Sequence, residues 1–192
     1  FDRKVRDRVS RQEIDHLSVF AIAPQPLLIL LGTLLGDITS SDVYQRHREP
    51  QTWSWPTSAT PLEFQVLLPT SMTGTPALVV GTSATVTPNR IEKALDGEVS
   101  LWRVTIPRPN LDPVKSREDL SRFRSLLREL FDDIKAVHGQ WTILHIFPVT
   151  SVSLAVEFGR ARMPKADMPW RIYDQNFKRD GFIPTLDIPI GE

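Results

Sequence analysis

The sequence predicts an α/β fold in which most strands run parallel. Short apolar runs of strand length lead through a proline or a small polar turn into a helix, and the helix leads into another strand. One such unit begins at residues 17–23 and another at residues 141–147. Strand, helix and strand in this order form the βαβ unit, which joins parallel strands. At 192 residues the chain is long enough to bury a substantial core.

The first unit follows an opening segment, residues 1–15, which is dense in charge and is predicted to form a solvated helix. The apolar run LSVFAIA (17–23) is predicted to be a strand that a parallel sheet buries on both faces. Pro24 and Pro26 then turn the chain into a helix over LLILLGTLLGD, which is predicted to end near Gly36.

A transmembrane helix is the alternative for residues 17–35, because this stretch contains no Lys, Arg, Asp or Glu. Pro24 and Pro26 lie near its middle, where they would break such a helix. We therefore favour a strand, a turn and a short helix, and we expect no membrane span.

The remaining elements follow from the same patterns of apolar spacing and turn residues. A long proline-rich loop, residues 49–76, surrounds one short strand at 63–69. The other strands are predicted at 41–47, in the first part of 77–85, at 99–106, at 141–147, at 170–174 and in the closing segment 182–190. The other helices are predicted at 89–96, 116–138 and 149–159.

The helix at 116–138 has the clearest signal in the chain. Its apolar residues recur at helical spacing along one face. Ser116 and Asp119 have the spacing of a capping box at its start, and Gly139 marks its end.

Two segments of the chain resemble each other in pattern. VFAIAPQPLLILLG leads to DVYQR, and ILHIFPVTSVSLAVEFG leads to WRIYD. Each contains an apolar strand, a proline, an apolar helix with a glycine (Gly32 or Gly159), and a strand with a tyrosine (Tyr44 or Tyr173). The pattern predicts two related Rossmann-like halves whose strand ends meet at a shared crevice, with chance similarity of two ordinary βαβ units as the alternative.

Composition and missing motifs exclude several kinds of site. The formal net charge is zero, so recognition of an anion has to be local. The absence of cysteine excludes disulfides, thiolate metal sites and a cysteine nucleophile. The dinucleotide-binding, P-loop and zinc-protease motifs are also missing. The segment GTSAT (81–85) approaches a nucleophile elbow, but Thr85 stands where that tight turn needs glycine.

Candidate binding residues lie where strands are predicted to end, because ligands of open α/β sheets bind at that edge, near helix N-termini. Arginines and small polar turns suit phosphates, and aromatic rings suit bases. Together they indicate a small anionic nucleotide. The turn and cationic candidates are Arg46, His47, Arg48, Thr82, Ser83, Ala84, Pro148, Val149, Thr150 and Arg160. The aromatic candidates are Trp53, Trp55, Phe147 and Tyr173.

Simpler interpretations stay open at this point. The cationic cluster is also typical of a solvated strand end, the tryptophans of a cover over the core, and His145 of a hydrogen-bonded core histidine. A Rossmann-like hydrolase or ring nuclease using His47 with Ser83 or Thr150 is the enzymatic alternative. A partner-binding domain without a small ligand is a third.

The segment HIFPVTSVSLAVEFGRARMPKADMPWRIYDQN, the closing FIPTLDI and the earlier VYQRHREPQTWSW resemble parts of a SAVED domain. The resemblance implies two fused CARF-like units with mainly parallel sheets, related by pseudo-twofold symmetry, which we divide at residues 1–76 and 77–192. It also implies a non-enzymatic sensor, without metal or cofactor, for a cyclic oligonucleotide, most simply a cyclic dinucleotide such as cGAMP.

The same resemblance implies a bacterial, cytoplasmic anti-phage (CBASS) system. A CD-NTase-type nucleotidyltransferase would make the ligand, and binding would drive self-association into dimers or tetramers. An effector fused at the amino terminus would then be activated, most like the HNH endonuclease that cuts double-stranded DNA. Because the sequence begins at Phe1 rather than Met, we expect the chain to be the sensor part of such a protein.

Overall fold

The computed structural model of the protein describes residues 1–36, 40–176, 178 and 181–191. The strands of these residues are β1 (His16–Val19), β2 (Ser40–Val43), β3 (Gln65–Leu67), β4 (Thr75–Gly81), β5 (Val99–Thr105), β6 (Leu144–Val149), β7 (Trp170–Asn176) and β8 (Gly181–Ile188). The helices are α1 (Asp7–Ser10), which continues a π-helical turn, α2 (Gln25–Leu35), α3 (Pro88–Glu92), α4 (Arg117–His138) and α5 (Val152–Ala161).

The strands form two sheets. Strands β1 and β2 pair in parallel as a small sheet. The other six follow the order β3-β5-β4-β6-β7-β8. The four inner strands of this sheet are parallel, whereas β3 and β8 lie antiparallel at its edges. The predicted α/β fold with mainly parallel strands is confirmed. Strand β3 precedes residue 76 in the chain yet belongs to the larger sheet, and the division at that residue stays a prediction.

The connections diverge at the centre of the larger sheet. Strand β4 continues through α3 to β5 on one side, and its neighbour β6 continues through α5 to β7 on the other. Adjacent parallel strands whose connections leave in opposite directions open a crevice at their carboxyl ends. The topology therefore places a crevice beyond Gly81 and Val149.

Each face of the larger sheet has its own core, because successive strand residues point to opposite faces. Leu78 and Val80 of β4 join a large core under α4 and α5. Ala77 and Val79 join a smaller core on the other face, where α3 lies. No described helix is long and apolar enough to cross a membrane.

Helices α2 and α5 cross in backbone contact at Gly32 and Gly159. A Cβ atom on Gly32 would overlap the Val156 carbonyl oxygen and lie 2.9 Å from the Gly159 Cα. A Cβ atom on Gly159 would overlap the Ile29 carbonyl oxygen and lie 2.9 Å from the Gly32 Cα. The contact is reciprocal, and it joins the two glycines that the internal pattern pairs.

The start of α4 is capped as predicted. The Asp119 amide donates to Ser116 Oγ at 3.2 Å, and the Asp119 carboxylate accepts from the Ser116 amide at 3.1 Å. The same buried carboxylate accepts from the backbone amides of Leu62 and Lys115. The cap therefore also anchors the proline-rich loop. Gly139 ends the helix with φ of 83°, in the region that favours glycine.

Two strand predictions were wrong in extent. Residues 17–23 are not a strand buried on both faces: β1 ends at Val19, and Ile22 is 69% exposed. Within the described residues, β1 has a single neighbouring strand, β2. One neighbour is not enough to bury all of the apolar residues 17–23. The predicted strand at 41–47 ends at Val43, so Arg46–Arg48 lie in the loop that follows.

Smaller differences concern element starts. Strand β6 begins at Leu144 rather than at Trp141, whose side chain is 80% exposed. Helix α5 begins at Val152 and α3 is shorter than predicted. Helix α2 ends at Leu35 and is capped by Gly36, which confirms its predicted end; Asp37 lies outside the described residues.

Replacing Gly159 by alanine is expected to lower the free energy of unfolding by about 1–3 kcal/mol, because the new methyl group overpacks the helix crossing. In an unobstructed helix interior the same change would be stabilising by about 1 kcal/mol. Urea denaturation measures the difference. Ser125→Ala, on the exposed side of α4, is the control for helix propensity. A more stable Gly159→Ala variant would contradict the close crossing.

Ser116→Ala is expected to cost about 1 kcal/mol of unfolding free energy, because the amide of Asp119 loses its side-chain acceptor. Ser121→Ala, at an exposed position of the same helix, should change stability much less. Thermal and urea unfolding of both variants measure the cap. Equal effects at the two positions would show that the cap contributes nothing.

Candidate functional site

A crevice of about 720 Å³ lies beyond the carboxyl ends of β4 and β6. The turns after both strands line it, as do the start of α2 and the loop after β2. The residues of the predicted site that line it are Arg46, His47, Arg48, Ser83, Ala84, Val149 and Thr150. These residues come from three separate segments, and the fold brings them together.

Buried hydrogen bonds hold the two turns side by side. The hydroxyls of Thr82 and Thr150 are 2.7 Å apart, and neither side chain is exposed appreciably. The Ser83 amide donates to the Val149 carbonyl at 3.0 Å. Thr82 therefore supports the crevice from beneath and does not line it.

Gln25, the first residue of α2, clasps the β6 turn. Its Nε2 donates to the Thr150 carbonyl oxygen at 3.0 Å, and its Oε1 accepts from the Thr150 amide at 3.2 Å. Both backbone groups of Thr150 are thus paired with one side-chain amide. The clasp ties the first βαβ unit to the floor of the crevice.

Gln45 makes a second connection of this kind. Its Oε1 accepts from the Ser153 hydroxyl at 2.6 Å and from the Ser153 amide at 3.4 Å. Ser153 lies in the first turn of α5, whose amides lack intrahelical partners. Gln45 is buried, and it holds the loop that carries the cationic residues against the start of α5.

Arg46 and Arg48 bring positive charge to the rim. Arg46 donates to Gln51 Oε1 at 3.3 Å, and its guanidinium carbon lies 5.9 Å from the centre of the Trp53 ring. The Arg48 side chain is exposed. Among the described residues no carboxylate pairs with either guanidinium. Both are therefore available to an anion.

His47 is held by Asp112. Its Nδ1 lies 3.1 Å from Asp112 Oδ1, and the other carboxylate oxygen accepts from the Arg48 amide at 3.2 Å and from Lys115 Nζ at 2.7 Å. Burial alone would raise the pKa of Asp112, but the hydrogen bonds from Lys115, the Arg48 amide and His47 outweigh it and hold that pKa below its ordinary value. Asp112 is therefore an ionised acceptor at neutral pH.

The predicted tryptophans lie beside the crevice and not in it. Trp53 makes an edge contact with Phe20 at 5.3 Å between ring centres. Trp55 packs near Tyr44 and makes an edge contact with His47 at 5.6 Å. It lines a neighbouring groove of about 930 Å³, which shares His47 with the crevice.

The other aromatic candidates are in the smaller core. Phe147 is fully buried and stacks on Tyr173 at 4.3 Å between ring centres. The Tyr173 hydroxyl bonds to Nδ1 of half-buried His145 at 2.8 Å, so His145 is hydrogen-bonded as its structural interpretation predicts. Burial lowers the pKa of His145. Pro148 is likewise buried within β6. None of these side chains lines the crevice.

Arg160 lies at the far end of α5, and its contacts are structural. It pairs with Glu157 at 2.7 Å, and Arg124 of α4 pairs with the same carboxylate at 3.2 Å. Burial raises the pKa of Glu157, and the two arginines oppose that shift. Arg160 also donates to the Ser41 carbonyl of the small sheet. The structure does not bring this predicted residue to the crevice.

Gln45 and Asp112 are the site residues that sequence reasoning missed. Gln45 lay inside a predicted strand, which hid its role as a connector. Asp112 lies within the proline-rich loop between β5 and α4, and it contacts His47, 65 positions away in the chain. No local pattern signals either contact.

Solved structures share this fold. The Cap4 SAVED/CARF-domain containing receptor of Acinetobacter baumannii with the cyclic trinucleotide 2′3′3′-cAAA matches with a TM-score of 0.70 at 12% identity, covering 96% of this chain and 41% of that one. The same receptor with 3′3′3′-cAAA matches with a TM-score of 0.65 at 11% identity, covering 95% and 41%. The chain thus spans about two fifths of the receptor's length.

No curated protein sequence matches the chain significantly. A family model does: the SAVED model, described as the SMODS-associated and fused to various effectors sensor domain, matches residues 1–188. That match covers nearly all of the sequence, and the fold agrees with it. The chain belongs to the SAVED family of sensor domains.

Proposed function

We propose that the chain senses a cyclic oligonucleotide and binds it in the crevice beyond β4 and β6. The observation that carries the proposal is the convergence of Arg46 and Arg48, both without a carboxylate partner in the described chain, on two turns at a topological switch point. The volume of about 720 Å³ is within the range of small-molecule sites.

The charges of the rim suit a phosphodiester ring. Guanidinium groups make charge-assisted hydrogen bonds to phosphate oxygens. The Ser83 hydroxyl and the polar start of α5 at Ser151 add neutral donors nearby. We propose that Arg46 and Arg48 each take one phosphate and that the hydroxyl-rich turns hold the sugar–phosphate backbone between them.

Within this class we propose a cyclic dinucleotide such as cGAMP as the ligand. Cyclic trinucleotides, which the Cap4 receptor binds in its solved structures, are the competing ring size. A CD-NTase-type nucleotidyltransferase is the proposed source of either ligand.

We further propose that binding drives the chain to assemble into dimers or tetramers in the bacterial cytoplasm. Such a shift requires that the ligand bind the assembled state more tightly than the single chain. An effector fused at the amino terminus, most simply an HNH endonuclease acting on double-stranded DNA, would be activated by this assembly in anti-phage (CBASS) defence. The family description of fusion to various effectors supports this arrangement.

A second function, opening of the cyclic ligand by hydrolysis, is favoured by one observation. His47 lines the crevice and bonds to a carboxylate, as a general base does when a third group orients it. In this role His47 would take a proton from the attacking group, either a neighbouring ribose hydroxyl or a water molecule.

Arg48→Ala is expected to weaken binding of cGAMP, 2′3′3′-cAAA or 3′3′3′-cAAA, whichever stabilises the protein, by roughly 10- to 100-fold, because a charge-assisted hydrogen bond to phosphate is lost. Calorimetric titration measures the affinity. Arg122→Ala, an exposed arginine of α4 outside the crevice, removes the same charge and should leave binding nearly unchanged. Equal affinities of wild type and Arg48→Ala would remove Arg48 from the site.

Incubating the protein with a bound cyclic nucleotide, followed by chromatography, should return the intact ring if the chain is a sensor without hydrolytic activity. Light scattering of the same mixture should show an increase in particle mass. Linear product that disappears in His47→Ala would establish the hydrolase instead. Failure of every cyclic nucleotide to raise the melting temperature would overturn the sensor proposal.

A further inference from the structure

His47 has a hydrogen-bonding polarity that differs from that of the two arginines beside it. Its Nδ1 faces Asp112 Oδ1 at 3.1 Å. The carboxylate accepts hydrogen bonds only, and it is ionised because its pKa lies below the ordinary value. Nδ1 must therefore carry the proton. Lys115 Nζ lies 2.7 Å from the other oxygen of the same carboxylate.

In the neutral imidazole with its proton on Nδ1, the remaining nitrogen, Nε2, is a bare acceptor. His47 is 3% exposed, and among the described residues Nε2 has no hydrogen-bond partner. A buried polar atom without a partner costs about 1–3 kcal/mol. His47 is a lining residue of both the crevice and the groove that Trp55 lines. Because Nε2 is buried, a ligand reaches it only if neighbouring side chains move; Arg48 and Glu49, next in the chain, are exposed.

We infer that His47 accepts a hydrogen bond at Nε2 from an N–H or O–H group of the ligand, and that it is not one of the phosphate contacts. This inference rests on the proposed function. Phosphodiester oxygens carry no proton and cannot donate to Nε2. Nucleobase amino and imino groups and ribose hydroxyls can. His47 therefore positions a base or a sugar, and the arginines on either side of it take the phosphates.

The contact would be strong for its type because Nε2 is shielded from water. In such an environment a hydrogen bond is worth more than at the surface, and an unmatched one costs more. A ligand that offers only an acceptor at this point, such as a carbonyl or phosphodiester oxygen, is disfavoured, since two acceptors would face each other across the neutral ring. The polarity of His47 thus selects among ligands that carry the same phosphates.

Asp112→Asn tests this polarity because the replacement has a predictable orientation. The Arg48 amide and Lys115 Nζ both require an acceptor at the Oδ2 position, so the new amide places its oxygen there and its NH₂ toward His47. Nδ1 must then accept, and the proton moves to Nε2. The variant turns the acceptor that faces the ligand into a donor without changing the shape of either side chain.

Nitrogen-15 NMR of the four histidines reads the tautomer directly. At about pH 8, where histidine is ordinarily neutral, we expect the proton on Nδ1 in the wild type and on Nε2 in Asp112→Asn. His47→Phe assigns the signal by removing it. A wild-type His47 that carries a proton on Nε2 would overturn the inference before any ligand is added.

Affinities for cGAMP, 2′3′3′-cAAA and 3′3′3′-cAAA complete the test. For the probe that binds, we expect the wild type to be tightest, His47→Phe about 3- to 10-fold weaker and Asp112→Asn at least about tenfold weaker, because Phe removes the acceptor whereas Asn reverses it. Asp132→Asn is the matched control, since Asp132 also pairs with a lysine three residues later at 2.7 Å. It should bind as the wild type does.

The outcomes separate this inference from the function beneath it. Tighter binding by Asp112→Asn than by the wild type would mean that the ligand presents an acceptor to His47, as a phosphate does. Equal binding would mean that Nε2 does not contact the ligand. Either result would overturn this inference and leave the sensor function standing. Absence of binding by every probe in the wild type would overturn the sensor function and this inference with it. Melting temperatures of all variants show whether a loss of affinity reflects unfolding.

Discussion

The backbone contact between α2 and α5 determines where every other part of the site lies. Gly32 and Gly159 allow the two helices to approach closely because neither residue has a Cβ atom. A Cβ atom added to either glycine would lie only 2.9 Å from the Cα atom of the other. Helix α2 carries the small sheet and its following loop, whereas α5 belongs to the larger sheet. Their close approach brings the turn at Gln25 against the turn at Thr150. A larger residue at either glycine would separate the segments whose meeting forms the crevice.

Different polar groups at the crevice serve folding and ligand binding. Neutral groups hold the segments together beneath the crevice, through the Thr82–Thr150 hydroxyl pair and the clasp from Gln25. Because these groups already pair with one another, a ligand does not need to supply hydrogen bonds to them. Arg46 and Arg48 have no carboxylate partner among the described residues. Arg46 donates to Gln51, and Arg48 is exposed. A site whose supporting bonds are complete can keep its shape before a ligand arrives.

Sequence reasoning succeeded where a local rule decides the structure. The long helix α4 was predicted with its cap because apolar spacing, Ser116 and Gly139 all agree. The turn at Ser83 and Ala84 was placed at the crevice because parallel strands end at a common edge. Reasoning failed for Phe147, since strand residues alternate between faces and the pattern does not say which face meets a ligand. Asp112 required a contact between distant loops, which no local pattern encodes.

The hydrogen bonds of the two glutamines and the charges of the two arginines also differ in their sensitivity to salt. Gln25 and Gln45 join the two βαβ units at the crevice through uncharged amides, whereas Arg46 and Arg48 would meet phosphates through charge. Dissolved ions screen the second kind of contact and leave the first almost untouched. Ionic strength therefore acts on the occupancy of the crevice while its walls stay joined. Under the proposed function, the salt concentration sets how much ligand is needed to occupy the crevice.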